Sequence, residues 1–157
     1  MQSIFQTVGV VGTGAMGRGI AQMASQAGSR VRLFDLQPGA ADAARAALAD
    51  TWSKLLAKGR LEAAQQDRYL ANLSTASDLS DLAGCDLVVE AIVEKLDVKQ
   101  RLFTDLEAIV PSQTVLATNT SSLSVTAIGA ALKHPQRLAG YHFFNPVPLM
   151  RVVEVIA

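Results

Sequence analysis

The run Gly12-Thr13-Gly14-Ala15-Met16-Gly17 joins two segments of different periodicity, and no other feature of the chain constrains its fold as strongly. Before it, Thr7 to Val11 is a short apolar run rich in β-branched residues, which suits a strand. After it, Met16, Ile20, Met23 and Ala27 recur at helical spacing, so Ala15 to Ala27 reads as a helix with Gly28 as its stop. Arg30 to Phe34 then reads as a second strand ending at Asp35. The same alternation runs on through the chain. Helix is expected over Ala40 to Lys58, over Leu61 to about Leu70, over Lys95 to Ile109 and over Val125 to Leu132. Strands are expected at Leu87 to Ala91, Thr114 to Thr118, Leu138 to Phe143 and Val152 to Ile156. Strands alternating with helices imply a Rossmann-type, doubly wound α/β fold: a mostly parallel sheet with helices on both faces. No internal boundary interrupts residues 1–157, which read as one domain.

Composition removes several function classes. Half of the 157 residues are hydrophobic, so a core is easily supplied, and 14 basic residues balance 14 acidic ones. That balance gives no support for a nucleic-acid or membrane-surface partner. Cys85 is the single cysteine, which leaves no disulfide framework and no metal-ligand spacing and fits a reducing, cytoplasmic setting. The start, Met1-Gln2-Ser3-Ile4-Phe5, lacks the charged and apolar regions of a secretory leader. No stretch approaches the roughly 20 apolar residues of a membrane span.

The glycine loop fits G-x-G-x-x-G, a weak pattern on its own. Its context strengthens it: it follows a strand, opens a helix, and has an acid at the end of the next strand. One glycine serves the tight turn, one lets the backbone approach a pyrophosphate, and one allows close helix–strand packing. Free N–H groups and the positive end of the helix dipole would hold the phosphates. Asp35 would accept hydrogen bonds from ribose hydroxyls and repel a 2′-phosphate, which favours NAD over NADP. A glycine-rich turn that binds nothing is the plain alternative. A methyltransferase could share the fold, although its loop has no need of the third glycine.

His142, in Tyr141-His142-Phe143-Phe144-Asn145-Pro146, and Glu154, in Val152-Val153-Glu154-Val155-Ile156, form the second constellation. A carboxylate within an apolar run is costly unless paired, and a histidine on a neighbouring strand is a natural partner. Such a pair suits a general base and its orienting group. His142 could equally be a hydrogen-bonded core residue and Glu154 an exposed edge residue. Ser121 and Ser122 lie between a strand and a helix, where a serine is often an N-cap.

Taken together, the motifs resemble the NAD-binding domain of the L-3-hydroxyacyl-CoA dehydrogenases. The resemblance rests on Asn119-Thr120-Ser121-Ser122-Leu123, on the His-Phe-Phe-Asn-Pro run continued by Val147-Pro148-Leu149-Met150, and on Val153-Glu154-Val155-Ile156. The loop continued as Met16-Gly17-Arg18-Gly19-Ile20-Ala21 and the run Val88-Val89-Glu90-Ala91-Ile92-Val93-Glu94 agree with it. It implies NAD-dependent oxidation of an L-3-hydroxyacyl-CoA to a 3-oxoacyl-CoA, within fatty acid metabolism such as β-oxidation. By that resemblance His142 is the base, Glu154 orients it, and Ser121 hydrogen-bonds the substrate oxygen near the nicotinamide. The implied dinucleotide site comprises Gly12, Thr13, Gly14, Ala15, Met16, Gly17, Asp35, Ala91, Glu94, Lys99, Ser121 and Asn145. Read from the residues alone, Lys99 is a solvated helix lysine and Glu94 an ordinary loop acid.

Coenzyme A carries phosphates, so cations near its path are expected. Lys54 and Lys58 are one helical turn apart and share a face, and the resemblance assigns Thr51 and Lys58, with Ser121, to CoA contact. It also implies a helical C-terminal domain that makes a homodimer and covers the acyl-CoA. Nothing in these residues resembles that domain. The chain is therefore expected to be a fragment, cut near the end of its NAD-binding domain, with weak NAD binding and little turnover. Two other readings remain: a non-catalytic dinucleotide-binding module, and a dehydrogenase of a free hydroxy acid.

Overall fold

The computed structural model describes residues 3–157; Met1 and Gln2, part of the start inspected for a leader, lie outside the described residues. The order of elements is β1 (Thr7–Val11), α1 (Ala15–Gln26), β2 (Arg30–Phe34), α2 (Ala40–Ala57), α3 (Ala63–Ala71) and β3 (Leu73–Thr75). It continues with β4 (Leu87–Glu90), α4 (Leu96–Ile109), β5 (Val115–Thr118), α5 (Val125–Gly129), β6 (Leu138–Phe143) and β7 (Val153–Ile156). Seven strands make one sheet in the order β3-β2-β1-β4-β5-β6-β7. All neighbours are parallel except β6 and β7. The chain leaves β1 toward one side of the sheet and later returns through β4 to fill the other side. That reversal between β1 and β4 is the switch point at which such sheets bind ligands, beyond the carboxyl ends of the strands.

Alternation along the strands divides the core between the two faces. Val8, Val10, Val31, Leu33, Leu87 and Val89 pack with Ile20, Leu48 and Trp52 of α1 and α2. Val11, Phe34, Val88 and Leu116 pack with Phe103, Leu106 and Ile128 of α4 and α5. Covering both faces explains why β1 and β4 read as continuous apolar runs.

Three details depart from the sequence-based expectations. β3 was not anticipated; with three residues it is too short to show a period, and its ladder to β2 supplies the ordering. α5 ends at Gly129 instead of Leu132, because the chain tightens: Leu132 N donates to Gly129 O, three residues back, at 3.0 Å. The residue before Pro135 disfavours helix in any case. α3 starts at Ala63 rather than Leu61, since Glu62 and Gln65 form a reciprocal capping box at its start. No helix of the described residues is long and apolar enough to cross a membrane.

Candidate active site

The loop after β1 has the form its glycines require. Gly12 has φ of +93°, and a side chain there would come within 2.5 Å of the Ala91 carbonyl oxygen. A Cβ at Gly17 would be driven into the carbonyl of Gly12, so only glycine lets α1 approach β1 this closely. Gly14 differs, because a Cβ there meets nothing. Gly14 is also the N-cap of α1, and no side chain caps that helix. The first-turn N–H groups, which have no partners within the helix, are thus left for an anion. Glycines needed for approach surround one that borders open space, and this fits a pyrophosphate.

Asp35 stands at the end of β2 beside the loop. Its Oδ2 accepts hydrogen bonds from Thr13 N and Thr13 Oγ1, both at 2.8 Å, while Oδ1 accepts from Gln37 N at 2.9 Å. Burial alone would raise its pKa, but these three bonds together outweigh burial and hold it below its ordinary value. An ionised carboxylate therefore borders a cavity of about 600 Å³ that runs from Gly12 and Gly14 past Leu36 to Leu79 and Arg101. The cavity walls are mainly apolar side chains, as a flat heterocycle requires.

On the other side of the switch point, a cavity of about 350 Å³ is lined by Met16, Ala91, Glu94, Asn119, Ser121, His142 and Asn145. β7 explains the arrangement. The link from Phe143 to Val153 is too short for a helical crossover, so β7 returns antiparallel. In that register His142 faces Glu154 directly. Their side chains meet at 3.0 Å between Nδ1 and Oε2. Among the described residues His142 has no second side-chain hydrogen bond, which leaves Nε2 available. Asn119 helps fix the strand end, since Phe143 N donates to Asn119 Oδ1 at 3.0 Å.

Lys99 and Glu94 differ most from what their residues alone suggested. Lys99 is not solvated; it is fully buried and borders none of these cavities. Its ammonium lies 2.5 Å from Glu90 Oε2 and 3.0 Å from Glu94 Oε1. Glu94 is no ordinary loop acid either, because its Oε2 accepts from Thr120 Oγ1 at 2.7 Å and Ser122 Oγ at 3.1 Å. Burial pushes the Glu94 carboxyl upward, but the bonds from Thr120, Lys99 and Ser122 prevail and hold it below its ordinary value. Lys99 stands behind the site and steadies Glu94, which lines it. Glu90 and Thr120 stand within the sequence motifs but carry no site role there. A lone acid closing an apolar run was the available signal for Glu90. Neither Ser121 nor Ser122 caps α5; Ser124 does, accepting from Ala127 N.

The residues expected to meet CoA are separated. Thr51 lines a groove of about 260 Å³ between α1 and α2, together with Arg18, Gln22 and the segment Asn145 to Pro148. Asn145 borders both this groove and the His142 cavity, so the two adjoin. Lys54 and Lys58 do not border the groove; Lys54 pairs instead with Asp50 at 2.6 Å on the exposed helix face. Arg18, directly after the glycine motif, is the cation that does border it. Among the described residues no cluster of side chains could hold a metal ion.

Comparison with known proteins agrees with this geometry. Residues 7–157 match the model of the NAD-binding domain of 3-hydroxyacyl-CoA dehydrogenase. The chain belongs to that family. NAD is accordingly its cofactor, and the glycine cradle beside ionised Asp35 suits it. The chain is 45% identical over 152 residues to a 3-hydroxyadipyl-CoA dehydrogenase of Escherichia coli, covering 97% of this chain and 32% of that protein. It is 40% identical over 157 residues to a 3-hydroxybutyryl-CoA dehydrogenase of Mycobacterium tuberculosis, covering 99% and 55%. A crystal structure of an Escherichia coli 3-hydroxybutyryl-CoA dehydrogenase superposes with a TM-score of 0.94 at 44% identity, over 98% of this chain and 32% of that one. The chain thus spans between a third and about half of the length of such relatives.

Proposed function

We propose that this chain is the cofactor-binding part of an NAD-dependent dehydrogenase that interconverts an L-3-hydroxyacyl-CoA and a 3-oxoacyl-CoA. The observation that carries the reading is the His142–Glu154 pair, which opens onto a cavity shared with Ser121 and Glu94. When bound, NAD supplies the hydride acceptor. Gly12 to Gly17 would hold its pyrophosphate through backbone N–H groups, Asp35 its adenosine ribose, and Ala91, Glu94 and Asn145 its nicotinamide side. His142 takes the proton of the substrate 3-hydroxyl at Nε2 as the hydride departs from C3. Glu154 accepts from Nδ1–H, fixes the ring and stabilises the imidazolium. Ser121 hydrogen-bonds the substrate oxygen and so keeps it within reach of His142.

The thioester would run from the His142 cavity over Asn145 into the α1–α2 groove, toward Thr51, with Lys54 in the last turn of α2 and Lys58 just past its end. Adjoining cavities support that route. They also favour a CoA substrate over a free hydroxy acid, which would need no second groove. The acyl-CoA partner and a homodimer formed through a helical domain remain part of this proposal, as does a cytoplasmic location. Exposed Leu149 and Val152 before β7, and Val155 and Ile156 on it, are the surface such a domain would cover.

The test is turnover of acetoacetyl-CoA with NADH in an active protein containing this chain. His142→Ala should lower kcat by roughly 10² to 10⁴ while NADH affinity is retained. Undiminished turnover would remove His142 as the base.

A further inference from the structure

Glu90 has no part in the reaction as described, yet it is fully buried at the end of β4. Its Oε1 accepts from Thr118 Oγ1 at 2.6 Å, and its Oε2 accepts from Ile92 N at 2.8 Å and from Lys99 Nζ at 2.5 Å. Lys99 divides its ammonium between Glu90 and Glu94. Among the described residues no other cation pairs with either carboxylate. One carboxylate would already neutralise Lys99; the second leaves the cluster with a surplus negative charge. Glu94 carries that charge to the wall of the cavity shared with Ser121 and His142.

Two buried members hold the charge in a medium of low effective permittivity, where it is screened far less than in water. The oxidised nicotinamide ring is cationic and the reduced ring is neutral. A fixed negative charge at this wall must therefore distinguish the two forms of the cofactor. We propose that the Glu90–Lys99–Glu94 cluster sets the preference of this domain between NAD⁺ and NADH, its surplus charge favouring the oxidised form. The proposal rests on the reading that the nicotinamide occupies the Ser121–His142 cavity.

Calorimetric titration of the 157-residue chain with NAD⁺ and with NADH tests it without any need for turnover. Glu90→Gln removes the charge and can keep the bonds: the amide oxygen still accepts from Ile92 N and Lys99, and the amide nitrogen can donate to the Thr118 hydroxyl. The ratio of the two dissociation constants should shift toward NADH by roughly three- to tenfold. Glu94→Gln, at a half-exposed position whose amide can still accept from Thr120 and Lys99, should shift the ratio in the same direction. It decides the matter if the buried variant fails to fold. Equal weakening of both forms would mean that the cluster only positions the loop, and it would overturn the proposal, as would an unchanged ratio. Failure of the unsubstituted chain to bind either form would overturn the cofactor reading and this inference together.

Discussion

Two pairs of opposite character stand at the same edge of one sheet. Glu90 and Lys99 lie at its centre with side chains 0% and 1% exposed, whereas His142 and Glu154 lie at its margin with 23% and 58%. The central pair is locked by Thr118, Ile92 and Glu94. The marginal pair depends on one hydrogen bond and on the register of a four-residue strand. A buried pair holds the framework, and removing one partner leaves the other buried and uncompensated. An exposed pair contributes little to stability and leaves a ring nitrogen free for chemistry. Structure is fixed at the centre, and on the proposed reading the rim is left for reaction.

Substitutions at the two pairs should therefore separate stability from activity. Lys99→Met leaves Glu90 buried without its cation, and breaking such a pair costs about 3–5 kcal/mol. A denaturant titration should show that loss, with NADH binding weakened as Glu94 shifts. A loss below about 1 kcal/mol would mean that water or another group compensates, and the contrast with the rim would disappear. Glu154→Gln should change stability by no more than about 1 kcal/mol, as exposed pairs do. Turnover in an active protein should nevertheless fall, though by less than on removal of His142. If stability fell as far as in the Lys99 variant, the rim would be structural after all.

The smallest effect is expected at Cys85, buried just before β4 in the core beneath α4. Burial pushes its thiol up to about 11, the nearby Arg32 opposing this and Asp86 adding to it. The native chain should thus resist alkylation at pH 8 and react only when unfolded. Rapid labelling would show that the core around Gly9 and Leu82 opens readily.

The central strands were legible in the sequence, whereas the buried pair at their ends was not. Strands β1, β4 and β5 declare themselves by apolar runs, β2 by alternation, and the glycines of the loop by the close approach they permit. The site at the switch point follows from that topology. β3 was missed because three residues carry no periodicity. The burial of Lys99 was missed because a lysine is ordinarily solvated, although Leu102 and Phe103, three and four residues on, mark its helix face as buried. Only the fold shows that Glu90 and Glu94 converge beneath it. The pairing of His142 with Glu154 was anticipated, but its antiparallel register depends on the short link between β6 and β7. The groove beside Thr51 could not be foreseen, since α1, α2 and the segment after β6 meet only in three dimensions.

The central claim is that the glycine loop and ionised Asp35 make an NAD site. Its most direct test is calorimetric titration of the chain with NADH and with NADPH. NADH should bind, NADPH should bind at least about tenfold more weakly because Asp35 repels the 2′-phosphate, and Asp35→Ala should narrow the gap. Equal affinity for the two cofactors in the unsubstituted chain, or no binding of either, would contradict it.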